Sequence, residues 1–226
     1  MMIDDQEILE KFSGMARLFP LPNIVLFPEA VQGLHIFEPR YRQMTADAIH
    51  DDHLIALVLL HPGWENEYDD VPEIEKVACL GRITQAEKLL DGRYNLRLRG
   101  LSRIRIVEEV RTDKLYRMAR VELMPDIVPD DITKLMELRR RLGEAILPRF
   151  DPQGPAYHHL EELFHGDTPL GHLCDLLAFS LPLPLPFKQS LLEQPHVDLR
   201  AELMIQALSV PEPIRVRKFP PDFSRN

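Results

Sequence analysis

The sequence predicts an α+β fold, in which a β-rich part is followed by a helical part. Up to about Met124 the apolar residues occur in short runs and alternating patterns, which are typical of strands. Farther along the chain they recur every three or four residues, as in amphipathic helices. Two prolines and two aspartates mark the change of pattern, within residues 124–130. We therefore expect a β domain at 13–124, a linker at 125–130, a helical bundle at 131–210 and a flexible tail at 211–226.

The first half of the β-rich part combines two strand candidates with one helix. Residues 24–27 and 54–60 are short, apolar segments rich in β-forming side chains, which favours buried strands. Between them, Pro39 suits the first turn of a helix. The spacing of the apolar residues that follow predicts an amphipathic helix over 39–50. Its apolar face would carry Tyr41, Met44 and Ala48.

A β-hairpin is the clearest local prediction. The pair Asp91-Gly92 stands between two strand-like segments and favours a two-residue type I′ turn, in which both residues take positive φ. In the second strand the apolar and polar side chains alternate, so we expect one buried face and one solvated face. The buried face would carry Tyr94, Leu96 and Leu98, and the solvated face Arg93, Asn95, Arg97 and Arg99.

Several helices are expected beyond the linker. Apolar residues with helical spacing begin behind the capping candidates Asp130 and Asp131 and stop at Pro148. Two shorter helices are predicted at 156–165 and 169–180. Alternating prolines then exclude a continuous helix over the next six residues, because proline lacks an amide donor and restricts the residue before it. The last helices are predicted at Phe187–Glu193 and Asp198–Leu208.

The composition favours a cytoplasmic protein. A formal charge of −9 over 226 residues argues against a general affinity for nucleic acid or for anionic membranes. The apolar runs are too short to cross a bilayer as helices, and the acidic amino terminus lacks the features of a signal peptide. Cys79 and Cys174 are far apart, which indicates neither a zinc ribbon nor a disulfide framework. We therefore expect no membrane partner.

The motifs of common catalytic sites are missing. None of the ten glycines is followed by Lys, which excludes the phosphate-binding loop G-x-x-x-x-G-K-[ST]. Lys188 and Ser190 are two residues apart, a spacing that points them to nearly opposite faces of a helix. His159 and Glu162 have i,i+3 spacing, but no second pair completes a metal site. We expect no catalytic residue, no metal and no cofactor, and an unrecognised hydrolase site is the least favoured alternative.

The order of several segments indicates a family. Residues 18–41 read LFPLPNIVLFPEAVQGLHIFEPRY, a proline-bounded apolar run followed by an Arg-bearing helix. The strand pair within 81–106 and the helices within 188–208 come next. Together, over roughly 17–208, these segments resemble the amino-terminal, substrate-binding domain of Lon proteases. The resemblance implies a PUA-like β-barrel domain that contains one helix and is followed by an α-helical bundle.

The resemblance also implies a function, that of a non-catalytic module that binds a polypeptide or a partner protein in connection with proteolysis or protein quality control. An open barrel edge, or an apolar patch near the linker, would hold an extended chain through main-chain hydrogen bonds and side-chain pockets. The expected partner is an unfolded or extended polypeptide, or one dedicated protein. The candidate contact residues are Phe37, Tyr41, Trp64 and Tyr94. The alternative for Trp64 is that it folds back over the barrel edge and contacts no ligand.

An RNA-binding module is the alternative prediction, because Lon amino-terminal domains are similar in fold to PUA domains. Only one aromatic residue, Tyr94, lies among the arginines, whereas single-strand binding combines several stacking rings with basic side chains. Glu108 and Glu109 adjoin the same strand and can pair with its arginines. We therefore expect a polypeptide partner and no nucleic acid. The residues of the alternative site would be Arg97, Arg99, Arg103 and Arg105.

Overall fold

A computed structural model describes residues 5–64 and 72–209. Within these ranges, strands dominate the first half and helices the second, as the sequence predicts. The strands are β1 Met15–Leu21, β2 Val31–Ile36, β3 Leu54–Leu59, β4 Val77–Lys88, β5 Tyr94–Val110 and β6 Met118–Met124. The helices are α1 Asp5–Glu10, α2 Pro39–His50, α3 Ile132–Ile146, α4 Pro155–His165, α5 Leu170–Ser180, α6 Leu185–Glu193 and α7 Val197–Ser209, with a 3₁₀ turn at Leu147–Arg149.

The strands form one mixed sheet that returns on itself. The order is β2-β5-β4-β3-β1-β6, and β6 pairs again with β5. Only β1 and β3 are parallel among these pairings. Five strands thus complete a closed ring, and β2 is attached to the outside of β5. The 17 residues of β5 make this possible, because residues 94–99 pair with β2 and residues 103–110 pair with β6. The α+β class is confirmed, and the likeness to a PUA domain stays a prediction.

The ring encloses an apolar interior of its own. Leu18, Ala56, Leu80 and Ile104 point into it, and all of them are fully buried. Strand β3 is buried at all six positions because alternate side chains enter the ring while the others face α2 and its surroundings. Burial on both faces explains why residues 54–59 form a continuous apolar run and show no alternation.

The strand predicted at residues 24–27 does not form. Val25, Leu26 and Phe27 are buried, but their segment joins no strand of the sheet. The first backbone hydrogen bond to β5 comes one residue beyond Pro28, where the Glu29 amide donates to Gly100 O. At Gly100 a Cβ would lie 2.0 Å from Phe27 O, so the close approach of this segment to β5 requires glycine at position 100. Burial of the segment therefore comes from packing against the core and not from strand pairing.

The predicted type I′ turn is also wrong, although the hairpin itself is present. Gly92 has φ of 81°, whereas Asp91 is not among the described non-glycine residues with positive φ. The Gly92 amide donates to Leu89 O, and the Leu89 amide donates to Arg93 O. These bonds define a three-residue loop, which places a single residue, the glycine, in the left-handed region. The predicted alternation of the second strand is confirmed, since Tyr94, Leu96 and Leu98 are buried.

The helices follow the predicted spacing closely. Asp131 caps α3 by accepting a hydrogen bond from the Lys134 amide at 3.0 Å. Helix α5 begins at Leu170, one residue later than expected, with Pro169 as its N-cap residue. No helix in the described ranges has both the length and the apolar composition needed to cross a membrane. Strands end at Met124 and helices resume at Ile132, while the division into separate domains stays a prediction.

Candidate functional site

Strand β2 has one unpaired edge. It pairs with β5 along one side, and within the described residues no strand pairs with its other side. Backbone groups of alternate residues in an antiparallel pair point away from the partner. The Gly100 amide donates to Ala30 O, so Ala30 points toward β5 and the outward residues alternate from the next residue on. The residues whose backbone groups point outward are then Val31, Gly33 and His35, and Gly33 O indeed accepts a bond from the Gln32 side chain.

Exposed apolar side chains stand at both ends of this edge. Val31 is 48% exposed at the start of β2, and Phe37 is 43% exposed immediately after its end. The Phe37 ring stacks on the imidazole of His35 with 6.3 Å between ring centroids. The His35 ring is held in turn by a 2.7 Å hydrogen bond between its Nδ1 and Asn95 Oδ1. The edge therefore offers main-chain hydrogen bonds with an apolar contact at each end.

Two of the four predicted contact residues belong to the core. Tyr41 is buried in the first turn of α2, where its ring centroid lies 4.5 Å from that of Phe19. Tyr94 is buried directly opposite Ile36, the last residue of β2. These two side chains hold the end of β2 and the start of α2 in place. Phe37 is exposed at the surface, whereas Tyr41 and Tyr94 are not.

Trp64 lies beyond the carboxyl ends of β1 and β3. It is half-buried, and its amide donates to His61 O at 3.3 Å. The Leu60 amide donates to Leu21 O, which fixes the start of this loop to the end of β1. Most of the acidic run that follows Trp64 falls at residues 65–71, outside the described residues. The role of Trp64 as a contact residue stays a prediction.

A surface cavity opens where β2 leads into α2. Its volume is about 360 Å³, and it lies between the start of α2 and the turn of the β4–β5 hairpin. Arg42 and Lys88 supply positive charge, and the Lys88 ammonium lies 5.8 Å from the centre of the Tyr94 ring. The lining residues are Pro39, Arg42, Gln43, Lys88, Gly92 and Tyr94.

The four arginines of the predicted RNA site do not form one surface. Arg97 and Arg105 are exposed, whereas Arg103 is only 2% exposed. Arg99 pairs with Glu29 at 2.5 Å and with Asp5 at 3.0 Å. Burial excludes Arg103 from contact with a ligand in this conformation, and the ion pairs partly neutralise Arg99. An RNA surface made of all four arginines is therefore inconsistent with the structure.

Arg103 instead joins the strands to the helices. Its guanidinium donates to both carboxylate oxygens of Asp175 on α5, at 3.0 and 2.5 Å, and its Nε donates to Leu192 O at 2.9 Å. Asp126 accepts hydrogen bonds from Arg103 and from Arg200 on α7, the latter at 3.0 and 2.6 Å. We call Arg103, Asp126, Asp175 and Arg200 the junction cluster.

The junction cluster was missed because sequence spacing does not show which charges meet. Asp175 has no exposed surface, and burial raises its pKa, whereas the facing guanidinium groups of Arg103 and Arg200 oppose that shift. One signal was present in the sequence: Asp175 is the single acid in a mostly apolar helix, LGHLCDLLAFS. A buried carboxylate of this kind requires a cationic partner.

The structure gives no catalytic arrangement to Lys188 and Ser190. The Ser190 hydroxyl donates to Phe187 O at 2.8 Å, and the Lys188 ammonium donates to Phe179 O at 2.8 Å. Burial lowers the pKa of Lys188 to about 8. Each side chain is thus bonded to a different backbone carbonyl. In the described part of the chain, no group of three His, Cys, Asp or Glu side chains is placed to hold a metal ion.

A ring of β-strands joined to helices by buried charges, with one strand edge left open among the described residues, defines an α+β domain. The chain belongs to the LON substrate-binding domain family: the sequence profile described as the ATP-dependent protease La (LON) substrate-binding domain matches residues 15–210. The predicted family is confirmed.

Known relatives and solved structures agree with this assignment. The Lon protease of Anaeromyxobacter dehalogenans is 28% identical over 207 residues, which is 88% of this chain and 24% of the relative. Lon protease 2 of Myxococcus xanthus is 28% identical over 195 residues, 85% of this chain and 23% of the relative. This chain thus spans about a quarter of the length of these relatives.

Two solved structures share the fold. The N-terminal domain of Mycobacterium avium complex Lon protease superposes with a TM-score of 0.70 at 14% identity, covering 88% of this chain and all of that one. The Lon N-terminal domain protein from Xanthomonas campestris gives 0.57 at 24% identity, covering 85% of this chain and 97% of that one.

Proposed function

We propose that this protein is a non-catalytic recognition module that binds extended polypeptide by adding it as a strand to the unpaired edge of β2. The observation that carries this proposal is that β2 has one strand partner, while every other described strand has at least two. Outward-pointing main-chain groups bind any extended chain, because every peptide has the same backbone. The exposed residues Val31 and Phe37 add apolar contacts to the bound chain.

Family membership supports a polypeptide as the ligand. The matched family is described as the substrate-binding domain of an ATP-dependent protease, and the relatives are Lon proteases. Edge addition tolerates many sequences, as a module that serves proteolysis or quality control requires. An unfolded chain or an extended segment of one dedicated protein partner would both satisfy this geometry. The site of action would be the cytoplasm.

Gly33 offers a direct test of the unpaired edge. Its amide points away from β5, so a proline there removes an outward donor without removing a bond of the β2–β5 pair. A Cβ at Gly33 would meet no atom within 4 Å, so Gly33→Ala is a matched control that keeps the amide. We expect Gly33→Pro to weaken binding of a fluorescent, permanently unfolded polypeptide by about tenfold. Gly33→Ala should bind like the parent protein.

The measurement is fluorescence anisotropy at low and moderate salt, with single-stranded RNA as a second ligand. Polypeptide binding through backbone bonds and Phe37 should depend weakly on salt, whereas phosphate contacts would make affinity fall steeply with salt. Phe37→Ser should weaken polypeptide binding without lowering the melting temperature, because Phe37 is exposed. Equal affinity of Gly33→Pro and Gly33→Ala for the polypeptide would contradict edge addition. Binding of RNA alone would replace the proposal with the alternative.

A further inference from the structure

We propose that the cavity at the end of β2 is a carboxylate-binding subsite for the polypeptide held at the β2 edge. This inference rests on the proposed function and adds a chemical preference to it. The cavity lies only three residues beyond the last residue of β2, Ile36, since Pro39 is part of its lining. Tyr94, which pairs with Ile36, lines it as well. A chain bound along the edge in this direction would extend toward the end of the sheet that carries the cavity.

The charges of the cavity favour an anion. Arg42 and Lys88 line it, and neither forms an ion pair or a side-chain hydrogen bond within the described residues. The nearby carboxylates have other partners: Glu38 bonds to Arg40 at 2.9 Å, and Asp91 bonds to Arg93 at 2.6 Å. Both cations therefore lack a directly bonded carboxylate in the described part of the chain, although Asp91 lies close enough to Arg42 to interact with it electrostatically.

Gln43 adds a directed donor to these cations. Its Oε1 accepts a 2.9 Å hydrogen bond from the Leu115 amide. This bond orients the side chain and makes Nε2 the donor end, on a residue that lines the cavity. Arg42 can donate a two-bond fork, Lys88 a point charge and Gln43 an amide hydrogen, which are donor types that bind carboxylates.

The Arg42 side chain lies against the turn of the β4–β5 hairpin. Gly92 takes positive φ at the hairpin, and a Cβ there would lie 2.1 Å from Arg42 Nη2. A side chain at this position would require the guanidinium to move. Asp91 stands nearby, and its pKa is lowered mainly by the Arg93 backbone amide, with a smaller contribution from Arg42. The turn thus places Arg42 over the cavity while Asp91 remains bonded to Arg93.

The carboxylate has two possible sources, an acidic side chain and the carboxyl terminus of the bound chain. Three fluorescent peptides of alternating Ser and Val distinguish them: one neutral with an amidated end, one with a free carboxyl end, and one with an internal Glu and an amidated end. We expect one or both charged peptides to bind about tenfold more tightly than the neutral one. The charged form that binds more tightly identifies the source.

A double variant tests the cations. Arg42→Gln with Lys88→Gln should abolish the preference for the charged peptides and leave the affinity for the neutral peptide unchanged. Arg97→Gln is the matched control, because Arg97 is an exposed cation of the same sheet outside the cavity. Amide signals of Gly92 and of the Gln43 side chain, followed by NMR in the parent protein, should shift with the charged peptides. This second measurement does not depend on how well the double variant folds.

The outcomes separate the subsite from the edge. Equal affinity of the parent protein for all three peptides, reduced by Gly33→Pro, would overturn the subsite and leave edge addition standing. Binding of the charged peptides alone, with shifts at Gly92 and no effect of Gly33→Pro, would support the subsite and overturn edge addition. No binding of any peptide would overturn both.

Discussion

The interior of the strand ring and the junction between strands and helices both contain fully buried side chains, but they are built differently. The ring interior consists of apolar side chains such as Leu18, Leu80 and Ile104. The junction contains the four charged side chains of its cluster, two of them with no exposed surface. Apolar packing has little directional preference, whereas paired charges tolerate one arrangement. The ring therefore gains stability from burial, and the junction gains a fixed orientation.

The predicted linker takes part in this fixed orientation. Asp126 belongs to the junction cluster, and the next residue, Ile127, bonds to the segment that leads into α7. The Ile127 amide donates to Pro195 O, and the Val197 amide donates to Ile127 O. The chain thus crosses from strands to helices through a series of hydrogen bonds. Two predictions compare the ring interior with the junction, and two more test buried or capping cations of the helical part.

The largest effect is expected at the junction. Arg103→Met leaves Asp175 buried with one cation fewer and should lower the free energy of unfolding by about 3–5 kcal/mol. Arg105→Met, an exposed arginine on the same strand, should change it by less than about 0.5 kcal/mol. Denaturant unfolding measures both. In hydrogen exchange, the amides of α5 and α7 should lose protection in Arg103→Met while those of the ring keep it. Uniform loss across the protein would contradict a separate junction.

The ring interior should give the next largest effect. Leu80→Ala opens a cavity at a fully buried position and should cost about 3 kcal/mol. Leu90→Ala is its control, since Leu90 is fully exposed at the hairpin loop and should cost less than about 0.5 kcal/mol. Here the amides of β3, β4 and β5 should exchange faster than those of the helices. The reverse pattern would show that the ring depends on the helices for its stability.

A smaller effect is expected within the helical part, at Arg139. Its guanidinium caps the carboxyl end of α4 by donating hydrogen bonds to backbone carbonyl oxygens. These belong to Leu163, Phe164, Gly166 and Thr168. Arg139→Met should cost about 2 kcal/mol, because these acceptors lose a charged donor. Arg140→Met is the control: its pairs with acids of the same helix are exposed, so it should change stability far less than Arg139→Met. Equal thermal shifts of the two variants would contradict a capping role.

The last effect depends on pH. Burial lowers the pKa of Lys188 to about 8, below the value of 10.5 that it has in an unfolded chain. Between these values the unfolded chain holds a proton that the folded protein has lost, so stability contributed by this group rises with pH across the window. Lys188→Met removes that contribution. The difference in unfolding free energy between parent and variant should therefore change between pH 8 and pH 10, in favour of the parent as pH rises. Parallel curves would contradict the lowered pKa.

The surface region could be predicted only in part. Phe37 was a candidate from sequence and is exposed beside the unpaired edge, whereas Tyr41 and Tyr94 are buried beneath it. All three are aromatic residues near polar neighbours, and no spacing rule distinguishes them. The helix over 39–50 was predicted because one chain segment carries the whole pattern. The cavity beside it was not, because Arg42 and Lys88 are far apart in the sequence.

By itself, the sequence determined the features that depend on neighbours along the chain. These are a β-rich half followed by helices, a cap at Asp130 or Asp131, the hairpin and the alternation along β5, together with the family. The tertiary structure alone decided how β6 returns to β5, that residues 24–27 pack without strand pairing, and that Arg103 meets Asp175 while Arg97 faces water. The reason is physical: local patterns fix backbone conformation and the buried face, whereas burial and pairing of a given charge depend on residues that only the folded chain brings together.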